Sequence, residues 1–108
     1  MNRALAALVI LALLRAAPAV QAGGQTVVDL GRELAELNCA TCHNIEVTGD
    51  SPFAAAPPFR TIPQKYHPSE LEEAFVEGIV VGHPAMPEWE MTPEQASALS
   101  AYIESLAQ

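Results

Sequence analysis

Residues 39–43 are Cys-Ala-Thr-Cys-His: two cysteines separated by two residues, with a histidine directly after the second. Residues three apart lie on one face of a helical turn, so the thiols of Cys39 and Cys42 can react with two groups on one partner molecule. This spacing is the attachment motif of a c-type haem, whose vinyl groups take the two thiols. The motif therefore predicts one haem c, bound covalently through Cys39 and Cys42, with His43 as the proximal iron ligand.

Two other uses of a Cys-x-x-Cys pair fit the sequence less well. A thioredoxin-like dithiol opens a helix after a strand, whereas residues 39–42 follow a helical pattern with no strand pattern before it. A structural zinc site needs four ligands from paired clusters. The chain has two cysteines, and His67 and His83 are too scattered to form a second pair. A disulfide between the cysteines stays open as the alternative.

The first 22 residues resemble an export signal, with a basic start, an apolar run from Ala4 to Leu14 and small residues up to Ala22. The run is shorter than the roughly 20 residues that span a bilayer. We expect cleavage after Ala22, with Ala17 and Ala19 as other positions and an uncleaved anchor as the alternative. Residues 23–108 would then form one domain in the periplasm.

Acidic residues dominate the expected mature chain. Without residues 1–22, Arg32, Arg60 and Lys65 stand against 13 acidic residues, a formal net charge of −10. This charge argues against nucleic acid and anionic membranes as partners, because both require basic protein surface. It favours solubility or a redox partner that has a basic docking patch.

The segment from Val27 to Asn38 predicts the first helix. Leu30, Leu34 and Leu37 recur along it at helical spacing on one side. Gly31 is unusual inside it, because glycine costs about 1 kcal/mol relative to alanine in a helix interior. We expect that another helix approaches closely there.

A proline-rich loop and two further helices are predicted after the first helix. The loop runs from Asn44 to Tyr66, and an internal loop of this length is usually functional. The second helix is expected to begin at a capping box at Ser69 and the third at a capping box at Thr92. The sequence has no strand alternation and no repeat.

An electron-carrying haem needs a second axial ligand, and the candidates are Met86, Met91, His67 and His83. Met86 is favoured because prolines on both sides stiffen its loop, and a stiff loop can hold a weakly bonding thioether at the metal. Met91 comes just before the third helix and is expected to pack under it. A loop histidine is more often solvated or hydrogen-bonded.

With these features, residues 23–108 resemble a small class I (monohaem) cytochrome c. The resemblance rests on four features in order, namely Gly31 eight positions before Cys39, the Cys-x-x-Cys-His site, the pair Met86-Pro87, and a last helix with Leu99 and Tyr102. It implies an all-α fold in which three main helices and the proline-rich loop enclose one covalently bound haem.

The resemblance also implies specific contacts. The first and last helices are expected to cross, with Gly31 giving room to Tyr102 or Leu99. The carbonyl of Pro57 or Pro58 is expected to accept a hydrogen bond from His43, which would fix the imidazole ring and tune its donor strength.

Polar partners for the haem propionates are less constrained by the sequence. Arg60, Tyr66 and Trp89 are the candidate donors. Trp89 would otherwise be a core aromatic residue beside the ligand loop.

These expectations favour a periplasmic electron carrier that transfers one electron between redox proteins through Fe(III) and Fe(II). With His43 and Met86 on the iron, no position is left for a substrate, so we expect no enzymatic activity. Two other functions stay open. One is a dedicated haem subunit of an oxidoreductase complex, and the other is a ligand-binding haem protein with an open iron site.

Overall fold

The computed structural model describes residues 24–78 and 85–107. Within these ranges the chain is helical and has no strand, as the sequence predicts. The predicted signal peptide, residues 1–22, lies outside them. The elements in chain order are α1 (Val27–Asn38), a 3₁₀ helix (Phe59–Gln64), α2 (Pro68–Glu77) and α3 (Pro93–Ser105).

A capping box fixes the start of α1. The hydroxyl of Thr26 accepts a hydrogen bond from the amide of Asp29 (3.1 Å), and the Asp29 carboxylate accepts one from the amide of Thr26 (3.1 Å). The Thr26 hydroxyl also donates to that carboxylate, and these hydrogen bonds hold the pKa of Asp29 below its ordinary value. The predicted bounds of this helix, Val27 to Asn38, are confirmed.

The buried face of α1 does not coincide with the side on which its leucines recur. Gly31, Leu34 and Ala35 are buried, whereas Leu37 is 73% exposed. Leu37 recurs on the same side of the helix as Leu34 but lies outside the buried face, because leucine spacing alone does not fix how far a helix is rotated. The close contact at Gly31 fixes that rotation and directs positions 31, 34 and 35 towards the interior.

α1 and α3 cross at Gly31. A Cβ at this position would collide with the carbonyl oxygen of Ala98 and lie 2.7 Å from the Cβ of Tyr102. The expected approach of Tyr102 is therefore confirmed. The second contact comes from the backbone of Ala98, while Leu99 is buried in the hydrophobic core.

The proline-rich loop folds back onto the turn after α1. The amide of Phe53 donates to the carbonyl of Cys42 (3.1 Å), and the amide of Phe59 donates to the carbonyl of Asn44 (2.9 Å). Phe59 is buried and Ile62 packs against the core, whereas Phe53 is 41% exposed. The 3₁₀ helix within this loop was not predicted.

α2 begins earlier than predicted. Its N-cap is His67, whose Nδ1 accepts from the amide of Ser69 (3.4 Å), while the Glu70 carboxylate accepts from the amide of His67 (2.8 Å). The predicted cap at Ser69 is wrong because Pro68 suits the first helical position, which moves the start upstream. The helix ends at Gly78, whose φ of +77° is the left-handed conformation that favours glycine.

α3 begins at the predicted capping box. The hydroxyl of Thr92 accepts from the amide of Gln95 (3.2 Å), and the Gln95 side-chain oxygen accepts from the amide of Thr92 (3.1 Å). The helix supplies Leu99, Tyr102 and Ile103 to the core. No helix in residues 24–78 and 85–107 is long and apolar enough to cross a membrane.

Candidate haem site

Cys39 and Cys42 lie in the turn that directly follows α1. The amides of Cys42 and His43 both donate to the carbonyl of Cys39, over 3.1 and 2.9 Å. Both thiols are half-buried and are not joined in a disulfide. Burial raises the pKa of the Cys39 thiol to about 11, so that thiol is protonated at neutral pH.

The imidazole of His43 is buried and held by the loop. Its Nδ1 donates to the carbonyl of Pro57 over 2.7 Å, and its ring centre lies 5.3 Å from that of Phe59. A carbonyl oxygen can only accept a hydrogen bond, so the proton of a neutral imidazole is on Nδ1. Nε2 then carries the lone pair and is the atom that would bind a metal.

A cavity of about 500 Å³ lies beside His43, which is within the usual size range of cofactor sites. Apolar side chains form most of its wall, including Phe59 from the 3₁₀ helix and Phe75 from α2. Of the predicted site residues, Cys39, His43, Pro57, Met86 and Trp89 line this cavity, whereas Cys42, Pro58 and Arg60 are not among the lining residues.

Three of the four candidate second ligands lie in the described residues, and two of these three line the cavity. Met86 is half-buried and lies in a segment without helix, whereas Met91 is 5% exposed and belongs to the hydrophobic core. The amide of Met91 also donates to the carbonyl of Phe75 (3.0 Å), which ties it to α2. The ring of His67 is engaged as the α2 cap. His83 lies outside the described residues.

The residues that were predicted to make polar contacts with a haem do not all lie at the cavity. Nη1 of Arg60 is buried and has no hydrogen-bond partner within the described residues. Tyr66 and Trp89 line the cavity. The carbonyl of Pro58 accepts from the amide and the hydroxyl of Thr61 (3.0 and 2.8 Å), so of the two candidate prolines it is Pro57 that accepts from His43.

Two polar wall residues were not foreseen from the sequence. Lys65, the one lysine of the chain, lines the cavity beside Tyr66. Thr61 also lines it. Both residues lie in or directly after the 3₁₀ helix. If that helix had been predicted, its periodicity would have indicated which side chains of the loop lie on the same face.

The cytochrome c family model matches residues 28–107, a range that begins in α1 and ends beyond α3. The chain belongs to the cytochrome c family. No curated protein and no solved structure gave a significant match. This cytochrome therefore has the all-α cytochrome c fold and is a haem-containing electron-transfer protein. The family also implies a covalently bound haem c.

The site residues of this cytochrome fit a haem c. Cys39 and Cys42 supply two thiols one turn apart, and His43 presents Nε2 beside a largely apolar cavity. Nη1 of Arg60 is a buried donor without a partner in the described part of the chain, but Arg60 does not line the cavity, so the fit rests on the cysteines, His43 and the apolar wall. When bound, the haem supplies a one-electron exchange between Fe(III) and Fe(II).

The polypeptide would act on such a haem through position and environment. The hydrogen bond from His43 to Pro57 fixes the ring and makes its Nε2 a stronger donor. With a haem bound, the apolar wall would keep water away from it, and the low dielectric would disfavour the more highly charged Fe(III) state. These two effects oppose each other, so the reduction potential depends on the balance between them.

Proposed function

We propose that this cytochrome is a single-haem electron carrier, exported to the periplasm, in which His43 and Met86 are the axial ligands. The observation that carries the proposal is that Met86 and the oriented imidazole of His43 line one cavity. With both axial positions taken by side chains, no position is left for a substrate. Electron transfer requires no open position on the iron, because the electron enters and leaves through the haem.

Met86 is preferred to Met91 as the second ligand because of what each side chain already does. Met91 is packed in the hydrophobic core, and its backbone is bonded to α2. Met86 is half-buried and lies next to Pro87, outside any helix. A thioether ligand raises the potential of a haem relative to a second imidazole.

A redox titration followed by absorbance tests the proposed function directly. Protein matured with haem is expected to show one reversible one-electron transition. Its haem is expected to stay with the polypeptide in acidified organic solvent. The matched control is the variant with both Cys39→Ser and Cys42→Ser, which is expected to lose all covalently held haem. Haem retained by that variant, or a titration with no reversible transition, would contradict the proposal.

A second candidate function is that of a dedicated haem subunit in an oxidoreductase complex. Large apolar side chains are exposed on α1, with Val27 57% and Leu37 73% exposed. Permanent interfaces are larger and more apolar than those of transient redox complexes. The native mass of the protein isolated from its host separates the two functions: a free carrier runs as a monomer, and a subunit runs with its complex.

The acidic surface supports a redox partner with a basic docking patch. Arg32 is paired with Glu36 and Glu46 (3.0 and 2.7 Å), so this group of three charges still carries a net charge of −1. Attraction to a cationic partner is screened by salt.

Electron exchange with an amine-terminated electrode is therefore expected to slow as salt rises. Between about 0.01 M and 0.15 M the Debye length falls from about 30 Å to about 8 Å, which removes most of the steering. A hydroxyl-terminated electrode is the control and should give a rate with little salt dependence. Equal salt dependence at both electrodes would contradict a charge-steered partner.

A further inference from the structure

The hydroxyl of Tyr102 reaches from α3 to the segment that follows His43. It donates to the carbonyl of Ile45 over 2.6 Å. Tyr102 is 3% exposed and Ile45 is 6% exposed, so water does not replace this hydrogen bond when it is lost. The bond joins the last helix to a residue only two positions after the proximal ligand.

Arg32 on α1 makes a second contact to the same hydroxyl. Its Nη1 lies 3.3 Å from the Tyr102 hydroxyl, and its Cζ lies 5.9 Å from the centre of the ring. Arginine can only donate, so the hydroxyl accepts from Arg32 and its own proton goes to Ile45. Nη2 of the same guanidinium donates to Glu46 (2.7 Å), which fixes the next residue as well.

His43 is therefore held from two sides. On one side its ring donates to the carbonyl of Pro57, and on the other the chain directly after it is tied to α1 and α3. A shift of Ile45 would move the backbone of His43 relative to Pro57. That movement would change the hydrogen bond that orients the imidazole.

We propose that Tyr102 is a positioning residue for His43, because its hydroxyl, which Arg32 also contacts, holds residues 43–46 so that the imidazole keeps its bond to Pro57. The crossing of α1 and α3 then contributes to the reduction potential as well as to stability. This inference rests on the proposed function, in which His43 is the proximal haem ligand.

The variant Tyr102→Phe tests the inference in the holoprotein, because it removes one oxygen atom and keeps both the buried ring and the Cβ that lies against Gly31. We expect faster amide exchange at residues 44–46 and a displacement of the His43 ring-proton signals in the oxidised protein. We also expect an upward shift of the reduction potential, since a weaker bond to Pro57 makes His43 a poorer donor to Fe(III).

Ser100→Ala is the matched control. Ser100 also lies on α3, is 1% exposed, and donates to the carbonyl of Pro68 over 3.1 Å, so the variant loses the same kind of bond on the side facing α2. It is expected to lower the unfolding temperature without moving the His43 signals or the potential. Equal changes in the two variants would overturn the inference, because they would report a general loss of stability.

Arg32→Lys gives a second test that does not depend on a core substitution. The Arg32 side chain is 44% exposed, and lysine keeps its charge but lacks the planar fork that contacts both Tyr102 and Glu46. We expect the same changes in amide exchange, His43 signals and reduction potential as in Tyr102→Phe, but smaller ones. A wild-type protein without a histidine-ligated haem would refute the proposed function. If the wild type has a histidine-ligated haem, and both Tyr102→Phe and Arg32→Lys have its amide exchange, His43 signals and reduction potential, only this inference is refuted.

Discussion

Replacing Gly31 with alanine is expected to lower the unfolding temperature of the holoprotein by roughly 8–16 °C. The new methyl group would collide with the carbonyl oxygen of Ala98 and lie 2.7 Å from the Cβ of Tyr102. Ala98 is in the middle of α3, where helical hydrogen bonds prevent its carbonyl from turning away. α1 and α3 would have to separate.

The size of this effect follows from two opposing terms. Overpacking costs typically 1–3 kcal/mol, and a clash with backbone belongs at the upper end of that range. Alanine regains about 1 kcal/mol through its better helix propensity. The net loss of about 2 kcal/mol is a large part of the stability of a domain of this size.

Gly24→Ala is the matched control for this prediction. A Cβ at Gly24 would meet nothing within 4 Å, so that variant should unfold at the temperature of the wild type. Thermal unfolding followed by circular dichroism at a helix wavelength measures both variants. A Gly31→Ala protein as stable as Gly24→Ala would contradict the close crossing of the two helices.

The parts of the fold that the sequence predicted are those that short segments determine. The predicted cap at Thr92 uses a side chain three residues from its partner, and the start of α3 depends on it. The bounds of α1 were predicted from its apolar pattern, whereas its cap at Thr26 was not predicted. The exposure of Leu37 could not be predicted from leucine spacing, because it depends on how α1 rotates against α3. The cap at His67 was missed because histidine is an unusual N-cap residue.

In the candidate site, too, the residues that a short segment determines were predicted and those that depend on distant segments were not. Cys39, Cys42 and His43 were predicted because covalent attachment of one haem demands that local spacing. The choice of Pro57 over Pro58 was left open, since adjacent carbonyls are distinguished only by the path of the loop. The positions of Met91 and Lys65 in the cavity wall depend on contacts between distant segments, which no local pattern contains.

Replacing Met86 with leucine is expected to open the iron and change the haem spectrum. Leucine has similar volume but no sulfur, so it cannot bind a metal. The oxidised protein should lose the weak methionine-to-iron absorption band near the red edge of the visible range. The reduced form should bind carbon monoxide rapidly at neutral pH, and the potential should fall because the thioether no longer favours Fe(II).

Met91→Leu makes the same chemical change at the other methionine in the cavity wall, so it separates ligation from packing. A swap of similar volume in the core usually costs less than about 1.5 kcal/mol, so this variant is expected to keep the band, the potential and the slow reaction with carbon monoxide. If Met91→Leu opened the iron and Met86→Leu did not, the ligand would be Met91. If the wild type itself bound carbon monoxide rapidly, the site would be open and a ligand-binding function would replace that of a carrier.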